Sequence, residues 1–180
     1  MEFFSKLLQD IGSVLTLKRN RLLSISSDRE RLFGAAFLFS LPYILHFFLA
    51  YFDFGWGVVF LGYALGSVFF KAASLLIAIH FVSFTARKFF SGQGVDLGFF
   101  KPIAYGMSLF VFPSLLMFMP FEGFVSFLNF VAFVFLLVIT YKLLRFYHRL
   151  DIHDSLLLLA LGIFVYFSLD FLLSSLQFSI

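Results

Sequence analysis

Five times in 180 residues the chain runs for twenty or more positions with at most two charged side chains, over 32–52, 56–86, 99–119, 124–145 and 155–176. A helix rising 1.5 Å per residue crosses hydrocarbon in about 20 such residues. The sequence therefore predicts an all-α integral membrane bundle of five transmembrane helices, preceded by an amphipathic surface helix. Composition leaves little room for a soluble fold: 62% of positions are apolar, 13% are charged, and 32 are Phe. A soluble domain of this length has no interior large enough to hide that many rings. The absence of Cys removes disulfides, thiolate nucleophiles and sulfur-based metal sites. A net charge of only +3 excludes the broad basic face of a nucleic-acid binder.

Two segments follow from the charge pattern: a cytoplasmic amphipathic and basic N-terminal segment, 1–31, and a five-span transmembrane domain, 32–180. Lys6 and Asp10 interrupt any continuous apolar core near the start, so no cleaved signal peptide is expected. In 1–31, Phe3, Phe4, Leu7, Leu8, Ile11, Val14 and Leu15 recur at spacings of three and four, with Asp10 assigned to the polar side. Lys18, Arg19 and Arg21 follow directly. The stripe suits an anionic membrane surface, and it equally suits docking on a partner or on the protein's own bundle.

Turn chemistry sets the other boundaries. Ser27 and Glu30 have capping-box spacing ahead of the first run, which holds Pro42 as a candidate kink. Asp53-Phe54-Gly55 forms a short turn before a second run of about 45 Å, long enough to require tilt. Ser91 to Gly94 breaks that helix, and Asp96 can cap a third span containing Pro102 and Pro113. Pro120 to Gly123 turns the chain again. Arg145 to Asp154 is a polar connection in which Asp151 or Asp154 can cap the last helix.

Twelve of the thirteen Lys and Arg residues fall in 1–31, in the 2–3 connection (Arg87, Lys88, Lys101) or in the 4–5 connection (Lys142, Arg145, Arg149). The positive-inside rule then places the N-terminus in the cytoplasm and the C-terminus outside, consistent with an odd number of spans. A bacterial inner membrane is the expected location.

The thirteenth basic residue, Lys71, lies fifteen residues from either end of the second run. A charge at that depth costs roughly 2.5–3.5 kcal/mol on insertion scales. His46 and Asp170 each lie six residues from the outer ends of their spans, so a Lys71–Asp170 pair with His46 nearby is one expectation. A proton or ion path and simple snorkelling are the others. On the opposite face of the same helix, Gly62, Gly66, Ala73 and His80 form a small-residue stripe. It predicts either a central helix or a seam with a second copy.

Chemistry beyond this is sparse. His148, Asp151, His153 and Asp154 are ligand types, yet capping explains the two acids, and Gly92-Gln-Gly94 lacks the remainder of a phosphate loop. No enzyme, cofactor or metal is expected.

The order of features from His80 through Gly92-Gln-Gly94, Phe99 or Phe100, Ala104-Tyr105-Gly-Met-Ser, Pro113, Met119-Pro120 and Gly123 to His148 and Leu150 resembles the Yip family. These are small five-span proteins whose eukaryotic members interact with Rab GTPases. The short N-terminal segment and Asp154, where bacterial relatives carry a basic residue, point to a bacterial-type member, to which Rab binding does not transfer. The resemblance implies a helical membrane protein without catalytic residues. The expected function is a non-enzymatic scaffold, anchor or accessory subunit whose partners are the lipid bilayer and other membrane subunits or itself. A small transporter or ion-conducting protein using Lys71, His46 and Asp170 is the alternative.

Overall fold

The structure, a computed structural model, describes residues 2–54, 58–116 and 122–177. Among them there is no strand. The helices are α1 (Glu2–Leu15), α2 (Arg19–Ser27), α3 (Leu32–Phe54), α4 (Val58–Phe89), α5 (Asp96–Gly106), α6 (Val111–Leu115), α7 (Glu122–Phe146) and α8 (Ile152–Gln177), with 3-10 turns at Arg29–Arg31 and Met107–Phe110. The bundle end that carries α1 and α2 is called basal here.

Four helices among the described residues, α3, α4, α7 and α8, are long and apolar enough to cross a membrane. The protein is a helical membrane protein on that ground. The expected span over 99–119 lies partly outside the described residues, and within them it is not a single α-helix. Instead α5 ends at Gly106, a 3-10 turn follows, and α6 is only five residues long, with Pro102 and Pro113 inside the two α-helical pieces. Each proline removes a backbone donor, which favours short pieces over one rod. Residues 98–107 are buried on every side, against α1, α2, α3, α4 and α7. An element enclosed by protein does not need a lipid-facing surface, which is why it can carry Lys101 and Tyr105. Met119 and Pro120 lie outside the described residues, as does Gly55.

The second long helix, α4, touches α3, α5 and α8 but is less enclosed than α5. α4 packs mainly along α8, and its small face points away from its neighbours: a side chain at Gly62 would meet nothing within 4 Å, and His80 is exposed. Gly66 and Ala73 are half-buried. The close helix approach is made by Gly162 of α8, where a Cβ would lie 2.5 Å from Val82 Cγ2.

The caps also differ from expectation. Asp28 rather than Ser27 accepts the Glu30 amide (3.0 Å), while the Ser27 hydroxyl donates back to the Leu23 carbonyl. Asp96 is drawn instead into an ion pair with Arg87 (2.6 Å), leaving α5 without a side-chain cap. Asp151 caps α8 by accepting the Asp154 amide at 2.8 Å.

Candidate functional site

The N-terminal helix is docked on its own bundle. Leu7 and Val14 are buried, Ile11 is half-buried, and Asp10, assigned to the polar side from sequence, turns inward with 4% of its surface accessible. Phe3, Phe4 and Leu8 remain exposed beside Phe33, whose ring centroid is 5.8 Å from that of Phe3. The stripe therefore splits. One edge faces protein, and the other is exposed.

Around Asp10 the basal end closes into a polar lock. Arg31 Nε lies 3.1 Å from Asp10 Oδ2 and 3.2 Å from Asp28 Oδ2, close ion pairs in which the N–H is aimed along neither line. Lys101 donates to the Asp28 carbonyl at 2.5 Å, and the Tyr105 hydroxyl reaches Asp10 at 3.4 Å. Burial raises the Asp10 pKa, and Arg31 opposes that rise. Lys142 donates to the Leu17 carbonyl at 3.0 Å, and Arg19 stacks on the Phe146 ring at 5.6 Å. Those two contacts tie the α1–α2 corner to α7. The side chains of Lys18, Arg19 and Arg21 are otherwise outward and exposed.

A second knot lies beside the lock. His148 is 1% exposed, packs edge-on to Phe99 with ring centroids 5.1 Å apart, and shares a 3.3 Å hydrogen bond with Ser83 through Nε2. Its Nδ1 has no hydrogen-bond partner. A Cβ at Gly92 would fall 2.9 Å from that atom, and one at Gly94 2.6 Å from the Tyr147 ring, so glycine is needed for the loop to close over the imidazole. The Gln93 amide donates to the His148 carbonyl, and the Val95 amide to the Tyr147 hydroxyl. Burial, and then Arg87, lower the His148 pKa to about 4, with Asp96 acting in the opposite direction, so the ring is neutral. Gly92, Gly94, Phe99 and His148, far apart in sequence, thus meet at one place. His153 is exposed, and no group of three potential metal ligands occurs among the described residues.

The interior polar residues behave differently. A cavity of about 250 Å³ opens between α3, α4, α5, α7 and α8, and Tyr43, His46, Lys71 and Tyr166 border it. Lys71 and Asp170 are not joined: no ion pair links them among the described residues, and Asp170 Oδ1 is buried without a hydrogen-bond partner. Depth along a helix can be counted from sequence, but the direction a side chain faces around the bundle cannot. Asp170 instead lies within electrostatic reach of Tyr43 and Tyr166, and Lys71 within reach of His46.

No family model, no curated protein and no solved structure matches the chain.

Proposed function

We propose that the protein is a non-enzymatic integral membrane scaffold, an anchor or accessory subunit of a membrane complex, with its basal end as the working surface. The observation that carries this reading is the Asp10–Arg31–Asp28 lock with Lys101 and Tyr105. It clamps α1 and α2 to the bundle, so exposed Lys18, Arg19, Arg21 and Arg29 are held against it rather than on a loose tail, while Lys88 is exposed near the end of α4 and Arg149 in the connection after α7. Basic groups held near an anionic leaflet contribute about 1 kcal/mol each, and exposed Phe4 and Leu8 add an apolar contact.

In this reading the broken α5–α6 segment makes a fifth crossing, the basal end is cytoplasmic, the C-terminus lies outside, and the membrane is a bacterial inner membrane. The distribution of basic residues supports that orientation. The likeness of the Gly92 to Gly123 stretch to the Yip family supports the class. Partners are the bilayer and other membrane subunits or a second copy, for which the outward Gly62 and His80 stripe of α4 is available. A small transporter is the second reading, favoured by the cavity that Lys71 and His46 line.

Single cysteines at positions 2 and 178, probed with a membrane-impermeant maleimide in sealed inverted vesicles, are expected to label from opposite sides, with position 2 on the cytoplasmic face. Same-side labelling removes the five-crossing scaffold. Proteoliposomes carrying a trapped pH dye are expected to move no more protons than empty ones, and a flux abolished by Lys71→Met would favour the transporter.

A further inference from the structure

The interior cavity has an asymmetric lining. Tyr43, His46, Lys71 and Tyr166 gather at one end, whereas Leu75, Ala78, Ile79, Val82, Phe99 and Leu159 carry the wall toward the basal end. From Lys71 to Val82 the α4 wall runs about 16 Å at 1.5 Å per residue. Two further hydroxyls in the lining are already engaged: Ser114 donates to the Phe110 carbonyl and Thr140 to that of Leu136. They ask for nothing from a guest.

Lys71 is the opposite case. It is exposed at the cavity in the middle of a long apolar helix, and among the described residues it makes no hydrogen bond and no ion pair. An ammonium at that depth calls for an anion, and the wall beneath it calls for hydrocarbon. We infer that the cavity binds a single-chain amphiphile with a carboxylate head, the head on Lys71 beside His46 and the chain laid along α4 toward Val82 and Phe99. The volume, about 250 Å³, lies just below the roughly 300–1,000 Å³ typical of small-molecule sites, which suits one narrow chain and not a two-chain lipid. Asp170, within reach of Tyr43 and Tyr166 at the same end, disfavours a doubly charged phosphate and leaves a singly charged carboxylate as the better head.

The full-length protein in zwitterionic nanodiscs, photolysed with diazirine-bearing palmitic acid, tests this. Expected labelling falls on wall peptides of α4 and α7, and is competed by palmitate but not by palmityl alcohol. Lys71→Met should weaken competition by about tenfold or more, equivalent to about 1.4 kcal/mol, whereas Lys71→Arg retains it. Ala78→Phe keeps the amine and fills the trough, so it should lose labelling independently of any effect of Lys71→Met on folding. Equal competition by the alcohol, or unchanged binding in either Lys71→Met or Ala78→Phe, overturns the proposal. Lysophosphatidate competing better than palmitate overturns the choice of carboxylate.

Discussion

At the basal end Arg31 sits 3.1 Å from Asp10 and 3.2 Å from Asp28, whereas Lys71, halfway along α4, has no acid within ion-pair distance among the described residues. Both places put charge on a mostly apolar bundle, largely buried at Asp10 and exposed at the cavity at Lys71. In the first, each ion is compensated by another element of the chain, so α1, the Arg29–Arg31 turn and α5 become interdependent. In the second, the protein leaves the compensation to something outside its own covalent structure. Burying a paired charge is weak evidence for stability, but removing one partner of such a pair is reliably costly. The two regions should therefore answer mutation with opposite signs.

The largest effect is expected at Arg31. Arg31→Met leaves Asp10 and Asp28 without their counter-ion and should destabilise by about 3–5 kcal/mol, measured as unfolding in mixed micelles at pH 7. Adding Asp10→Asn should recover much of that loss. Burial already raises the Asp10 pKa against the pull of Arg31. An acid whose folded pKa lies above its unfolded value costs stability as pH rises through the folded pKa. In Arg31→Met that rise is larger, so the variant should regain stability on mild acidification. A variant equally unstable from pH 5 to pH 8 would show that the lock does not work through Asp10.

His148 gives the next effect, with the reverse pH dependence. A histidine whose folded pKa is depressed from 6.5 to about 4 contributes stability that is complete above its unfolded pKa and declines as pH falls from 6.5 toward 4. At 1.36 kcal/mol per unit the loss approaches roughly 3 kcal/mol. His148→Gln should remove most of this acid dependence in a pH series of thermal melts. Persistence of the full slope would assign it to another group.

These residues also show what was legible in the sequence. The long apolar runs declared four helices and nearly their ends, because length and hydropathy are local properties. Helical periodicity alone puts Asp10 on the outer side of its helix, because its partner, Arg31, comes 21 residues later and its hydrogen-bonding tyrosine 95 residues later. Lys71 was recognisable as costly from its depth alone, yet its separation from Asp170 depends on how α4 and α8 are rotated about their axes. Gly62 and Gly66 mark a small face on α4 in the sequence, whereas the close approach of α4 and α8 is made by Gly162, whose partner, Val82, is 80 residues away. The glycines at 92 and 94 stood out as a break, while their contact with His148 required the fold.

The smallest expected effect is also the sharpest test of the contrast. With an Asp170 partner, Lys71→Met alone would strand an acid and cost several kcal/mol. The structure shows no such pair, so the substitution removes an ammonium that costs roughly 2.5–3.5 kcal/mol at mid-bilayer before snorkelling or water access reduces it. The expected result is a protein of equal or slightly greater stability, by about 1 kcal/mol, in unfolding measured in lipid stripped of free fatty acid. The lipid condition matters because a bound anion would stabilise the native protein in proportion to its concentration and mask the gain. The double variant Lys71→Met with Asp170→Asn should then equal the sum of its singles within about 0.5 kcal/mol, as independent sites do. Coupling beyond that, or a cost of 3 kcal/mol from Lys71→Met alone, would mean that Lys71 is compensated within the chain and that both regions follow the basal plan.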